Sequence, residues 1–160
     1  MDLSNFKKKI FQISSSIEFE KLAIELFKYQ VNNNVFYKKY CDLLNCSSSN
    51  VSSIEQIPFM PIEFFKSEKI LCQSITPDHF FLSSGTTSQK KSKHYVDCLK
   101  FYEKSISLCF ERFWGKIDNY RFFCLTPNKK DAPRSSLVHM CDFFVKKTKD
   151  LESGFYLKKK

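Results

Sequence analysis

Glycine is nearly absent: the 160 residues hold three, at 85, 115 and 154. Backbone that must turn tightly or approach a ligand closely is therefore confined to a few places. The Walker pattern Gly-x-x-x-x-Gly-Lys-Ser/Thr does not occur, which disfavours a P-loop nucleotidase. No apolar run approaches the roughly twenty residues of a membrane span, and the opening Met-Asp-Leu-Ser does not read as a signal peptide. The seven cysteines, at 41, 46, 72, 98, 109, 124 and 141, form no Cys-x-x-Cys pair and no Cys/His zinc spacing. Odd in number and set mostly in apolar contexts, they read as reduced, buried thiols of a cytoplasmic protein. Cys98 is the nearest to a reactive candidate, but it reads as a helix-face core residue. Internal repeats and a clear interdomain linker are also absent.

What the chain does have is apolar bulk and positive charge. With 42% apolar residues, 18 Phe and 7 Tyr, it holds enough for a real core. The net charge of +9 invites a polyanion partner. The lysines are nevertheless scattered, at 7–9, 38–39, 90–91, 129–130, 146–147 and 158–160, and interleaved with acids. No nucleic-acid motif accompanies them, so weak, salt-sensitive binding is expected and no specific nucleic-acid partner.

Chemistry concentrates in one place. Ser83-Ser84-Gly85-Thr86-Thr87-Ser88 carries five hydroxyls in six residues around one of the rare glycines. It follows the apolar run His79-Phe80-Phe81-Leu82 and precedes Lys90, Lys91 and Lys93. Backbone N–H groups, hydroxyls and ammonium groups converging on one turn are what a phosphate cradle needs. Ser/Thr-rich turns are equally the ordinary filling of surface loops.

The segment Ser83-Ser84-Gly85-Thr86-Thr87 resembles the phosphate loop of adenylate-forming enzymes, and its surroundings resemble specifically the acyl-protein synthetase (LuxE-like) family. The resemblance rests also on Ile57-Pro58-Phe59-Met60-Pro61-Ile62-Glu63-Phe64-Phe65-Lys66, Ser92-Lys93-His94-Tyr95-Val96, Tyr102-Glu103-Lys104-Ser105, Ser135-Ser136-Leu137-Val138-His139-Met140 and Ser153-Gly154-Phe155-Tyr156-Leu157. It implies ATP-dependent activation of a carboxylic (fatty) acid to an acyl-adenylate, with magnesium, followed by acyl transfer to a thiol or other acceptor. On that resemblance Ser83, Ser84, Thr86 and Thr87 donate hydroxyls to phosphate and Gly85 permits close backbone approach. Lys90 or Lys93 supplies the cation, and Lys93 and His94 stand nearest the chemistry. Ser88 occupies a position where the broader pattern often has a second glycine, a departure that stiffens the turn. The adenine pocket, the magnesium carboxylate, the ribose carboxylate and the acyl-accepting cysteine of the family have no counterparts here. The resemblance thus implies the N-terminal portion of a synthetase, inactive alone, with a separately encoded C-terminal half or an acyl-accepting protein as partner. The alternatives are a non-catalytic interaction fragment with a vestigial loop and a basic polyanion-binding protein.

The expected fold class is α/β: N-terminal helices over 1–50, then a partial mixed sheet with flanking helices over 51–160. Leu3, Phe6, Ile10 and Phe11 suit a short amphipathic helix, and Ser15 with Glu18 forms a capping-box pattern for a second. A third helix is expected over 34–44 with Phe36, Tyr40, Leu43 and Leu44 on its apolar side. Pro58 and Pro61 hold the next segment extended or turning, with Phe59, Phe64 and Phe65 as core or as a groove. Strands are expected over 69–72, 79–82, 94–96, 121–125 and 154–157. Asp97 is placed as the cap of a helix bearing Cys98, Phe101, Leu108, Cys109 and Phe113, stopped by Gly115, and Ser135-Ser136 as the cap of a helix bearing Leu137, Met140, Cys141 and Phe144. His94 reads either as a ligand-orienting residue or as a surface strand histidine. His139, inside an apolar helix pattern, reads as structural, and spacing supplies no hydrolase triad.

Overall fold

The computed structural model describes residues 1–84 and 90–157. Among these residues it is a small mixed α/β fold with six α-helices and two two-stranded sheets. The chain divides into two compact units, Met1–Thr76 and Pro77–Lys160.

The first unit is helical. Its α1 (Leu3–Lys9) and α2 (Ser16–Asn33) begin at Asp2 and Ser15, whose side chains accept from Ser4 N and Glu18 N. Each satisfies one amide that a helix start leaves without a partner. The Ser15 half of the expected capping box is present, and in the reciprocal half the Glu18 carboxylate reaches one residue further back, accepting from Ser14 N and Ser14 Oγ, both at 2.9 Å. Asn34 then both ends α2 and starts α3 (Val35–Leu43). Its amide donates to Gln30 O, and its Oδ1 accepts from Tyr37 N at 3.1 Å. The corner is therefore one residue long. At the far end of α3, Asn45 lies in the left-handed region at φ 54°, Asn45 N donates to Asp42 O and Cys46 N to Cys41 O. This is a Schellman stop, with asparagine filling the position glycine usually takes.

Phe27, Val31, Cys41 and Val51 form the core of this unit, with Tyr37, Cys46 and Ile57 packed on them. The buried side of α3 is thus Tyr37 and Cys41, whereas Leu43 is 83% exposed and Leu44 is exposed too. Phe36 and Tyr40 pack instead on Phe64, at ring-centroid distances of 5.2 and 5.9 Å, above the short α4 (Phe64–Ser67). Two tyrosine hydroxyls tie the proline-bounded segment down: Tyr37 donates to Pro58 O at 2.7 Å and Tyr40 to Phe59 O at 3.2 Å. Burial, then the Cys41 and Cys46 thiols, push the Tyr37 hydroxyl well above the ordinary tyrosine range. Phe59 itself is exposed and is not part of the core. Residues 69–72 are not a strand. Cys72 Sγ donates to Gln30 Oε1 and Gln73 N to Asn33 O, so this stretch docks on the end of α2 without a strand partner.

In the second unit β1 (His79–Leu82) and β2 (Lys93–Val96) pair antiparallel, with His79 opposite Val96 and Leu82 opposite Lys93. The helix α5 (Leu99–Trp114) follows, with Cys98 rather than Asp97 at its N-cap position and no side-chain cap bond from it, and is ended by Gly115 at φ +84°. Gly115 N donates to Glu111 O, in a conformation that a Cβ would strain. Next come β3 (Phe123–Cys124), α6 (Ser136–Lys147) and β4 (Gly154–Phe155). Ser135 caps α6 by accepting from Val138 N at 3.3 Å. Because β3 and β4 are parallel, the chain needs a crossover between them, and α6 supplies it. The single mixed sheet expected from the sequence is corrected to two separate ladders, with pairing over only two of residues 121–125. Phe110, Phe122 and Phe144 form the aromatic centre of this unit, at centroid distances of 4.9 to 5.6 Å. That centre sets the helix phases: Leu108, Cys109 and Phe113 of α5 and Leu137 of α6 face outward. All seven cysteines are free thiols, but only Cys41, Cys72 and Cys124 are buried.

Candidate functional site

The hydroxyl-rich stretch joins β1 to β2. Its neck is closed by two bonds between Ser83 and Ser92: Ser83 N donates to Ser92 O at 3.1 Å, and Ser83 Oγ accepts from Ser92 N at 3.0 Å. Ser83 therefore extends the ladder past its last strand pair, and its hydroxyl holds the neck. Ser84 and Lys90 emerge exposed from the two sides of this neck, and Lys93 is exposed on β2. Gly85, Thr86 and Thr87 lie outside the described residues. Antiparallel pairing thus brings Ser84, Lys90 and Lys93 to one end of one ladder.

Sequence reasoning missed Arg134. Its carbonyl accepts from Leu82 N at 2.8 Å, on the edge of β1 that β2 leaves free. Its guanidinium lies 4.1 Å from the Phe80 ring centroid, and its Nη1 is 3.0 Å from His79 Nδ1. Lys93 Nζ lies 5.1 Å from the centroid of the same ring. Cations from both sides of β1 therefore converge on Phe80. Among the described residues neither pairs with a carboxylate. Other basic residues do: Lys129 and Lys146 share Asp142, Lys38 pairs with Asp42 and Arg121 with Asp150 and Glu152. Burial alone would raise the Asp142 carboxyl, but the Lys146 and Lys129 hydrogen bonds outweigh it and hold it below the usual range. The one signal that could have found Arg134 is its place directly before the Ser135 cap, as one of only three arginines in the chain.

The three histidines gather around Phe81. His94 stands opposite it in register, the His139 ring lies 5.6 Å away and the His79 ring 4.9 Å. His139 is 4% exposed, and its Nε2 lies 3.0 Å from Glu103 Oε1 on α5. The structural reading of His139 holds, with a partner 36 residues away that spacing could not reveal. His94 is half-buried on β2. His79 had no predicted role. Arginine only donates, so His79 Nδ1 accepts, and the ring proton of the neutral form sits on Nε2, which is buried with no hydrogen-bond partner among the described residues.

Burial, followed by Arg134, His139 and Lys129, holds the His79 pKa below its ordinary value. The unfolded chain then binds a proton at His79 before the folded one does. Stability contributed by the neutral ring is complete above the unfolded value of about 6.5 and falls as pH drops from there toward the depressed folded value. The melting temperature should therefore decline from pH 7 to pH 5 with a slope that is shallower in His79→Asn. Equal slopes in circular-dichroism melts would show that His79 does not contribute.

Among the described residues no three His, Cys, Asp or Glu side chains converge to hold a metal ion, and no helix is long and apolar enough to cross a membrane. A groove of about 260 Å³ between α1 and α2 is lined by Ile13 and Leu22 with Lys9, Lys21, Glu18 and Glu25, charges of both signs that select no ligand class. Compared with protein-family models, curated proteins and solved structures, the chain matches none.

Proposed function

We propose that this chain supplies the phosphate-contacting hairpin of an ATP-dependent acyl activation, in the manner of the acyl-protein synthetases that its loop resembles. The observation that carries the reading is the antiparallel ladder closed by Ser83 and Ser92, which brings Ser84, Lys90 and Lys93 to the end of the ladder where the hydroxyl-rich sequence stretch begins and ends. A carboxylate oxygen would attack the α-phosphorus of ATP as the bond to the β-phosphate breaks, giving acyl-adenylate and pyrophosphate. The hairpin's part is to neutralise the β- and γ-phosphates while that charge leaves. Ser84, Thr86 and Thr87 donate hydroxyls, Gly85 admits the backbone to close contact, Lys90 and Lys93 supply charge, and His94 lies along the strand that leads away. Ser83 joins these donors: its oxygen accepts from Ser92 N at the neck, which leaves its own O–H to donate toward phosphate. The described His, Cys, Asp and Glu side chains form no cluster of three that would hold magnesium. The acyl acceptor would be a thiol or other nucleophile on a partner protein.

Amide chemical-shift titration tests this. Pyrophosphate and ATP should perturb residues 83–93 and compete with each other, AMP should bind far more weakly because it lacks the β- and γ-phosphates, and added salt should weaken all binding. Gly85→Val should abolish the response, since a branched Cβ removes the close backbone approach. Shifts clustered at residues 7–9 or 146–147, or AMP binding as well as pyrophosphate, would mark the basic surface as the binder and retire this reading.

A further inference from the structure

We infer that Arg134 is a second phosphate-gripping cation of the hairpin, the residue that makes the site prefer a diphosphate over a single phosphate, and that His79 and Phe80 position its guanidinium for this. The inference rests on the phosphate-hairpin reading and extends it to residues outside the loop.

Three features set Arg134 apart from a surface arginine. Its main chain is fixed to the hairpin, because its carbonyl takes the amide of Leu82, the residue immediately before the Ser83 neck. Its side chain is held twice, by the Phe80 face at 4.1 Å and by His79 Nδ1 at 3.0 Å. Both supports leave its charge intact: an aromatic face and a neutral imidazole orient a guanidinium without cancelling it, whereas a carboxylate in either place would. The His79 contact occupies one of five guanidinium N–H donors. A positioned, uncancelled fork is suited to bidentate contact with phosphate oxygens, and a flexible lysine is not.

Lys93 supplies the complementary half. It is exposed, lies against the same Phe80 ring, and reaches it from the opposite side of β1. Two like charges converging on one ring repel each other, and a ligand with two anionic groups relieves that repulsion better than one with a single group. The charged and titratable groups facing His79 are Arg134, His139 and Lys129, with Glu103 behind His139. None of them is a carboxylate in contact with Arg134.

The experiment is calorimetric titration of the full chain and its variants with sodium pyrophosphate and with inorganic phosphate at fixed ionic strength, each variant's fold being checked by circular dichroism. Arg134→Ala should weaken pyrophosphate binding about tenfold or more, the loss expected for a charge-assisted pair. It should change the already weak orthophosphate binding by less than about twofold, because Lys93 remains. Arg134→Lys keeps the charge without the fork and should recover only part of the loss. His79→Asn, whose Oδ1 accepts where Nδ1 does, should bind close to the unaltered chain, while His79→Phe should bind several-fold more weakly. Arg134→Lys also serves as the substitute should the alanine variant lose its fold. Pyrophosphate binding at the hairpin that is indifferent to both Arg134 changes overturns this inference and leaves the phosphate-hairpin reading standing. No hairpin binding by the unaltered chain overturns both. Equal affinity of His79→Phe and His79→Asn removes His79 from the positioning role.

Discussion

Replacing Phe144 by alanine is expected to destabilise the second unit by about 3–5 kcal/mol, the range for emptying a buried phenylalanine site. Phe144 is 6% exposed, stacks on Phe122 at 5.2 Å with an interplanar angle of 15°, and meets Phe110 at 4.9 Å and Phe143 at 5.8 Å. Its neighbours come from α5, from the segment entering β3 and from α6 itself, so no single element can collapse into the cavity left behind. Natural domains are stable by only about 5–15 kcal/mol, and a loss of this size is a large part of that. The matching control is Leu108→Ala on α5. Leu108 is one of the apolar residues that the sequence places on this helix, but it is 41% exposed. Its removal should change stability by no more than about 0.5 kcal/mol. Urea unfolding followed by the exchange rates of α6 amides measures both. A Phe144→Ala cost below 1 kcal/mol, or a Leu108→Ala cost equal to it, would show that the aromatic centre is not where the fold is held.

The second large effect concerns thiol reactivity. Burial, and then the neighbouring Cys141 thiol, push Cys124 up to about 11. An ordinary cysteine titrates near 8.5, so at pH 8 the thiolate fraction of Cys124 is lower by about two hundredfold. A more basic thiolate is also more nucleophilic, which returns about tenfold with a Brønsted slope of 0.4–0.5. The net chemical slowing is about twentyfold, and burial in β3 adds to it. Cys109, exposed on α5, provides the reference within the same molecule. Iodoacetamide at pH 8 with peptide-resolved mass spectrometry should find Cys109 modified long before Cys124, and the gap should narrow as pH rises toward 11. Equal labelling of the two at pH 8 would contradict the buried placement of β3.

Both expectations turn on a distinction that runs through the whole chain. The amino-acid sequence by itself determined the features written in neighbouring residues. Ser15 and Ser135 open helices because a hydroxyl two or three residues before an unpaired amide can reach it. Gly115 closes α5 because a residue without Cβ accepts a positive φ. His79 to Leu82 forms a strand because an apolar run bounded by turn residues has one economical local conformation, and Lys93 to Val96 returns along it because the intervening polar stretch is short enough to fold back. The candidate phosphate loop was legible for the same reason, since its hydroxyls and its glycine are contiguous.

Tertiary structure decided everything that depends on which distant segment arrives. In a chain with 18 phenylalanines, apolar residues occupy several faces of each helix, so periodicity alone does not select the buried one. The aromatic centre around Phe144 selects the face of α6 that carries Val138 and His139, and turns Leu137 out. Residues 69–72 have strand composition but meet the end of α2, where the Cys72 thiol donates to Gln30 and the next amide, Gln73 N, to Asn33 O. The parallel pairing of β3 with β4 exists only because α6 carries the chain back. Glu103 finds His139, and Arg134 finds His79 across 55 residues, contacts that no local pattern encodes. Capping and turn formation are short-range events set by adjacent atoms, whereas partner choice is set by the packing of the whole unit, in which each ring, cation and carboxylate takes the position the others leave.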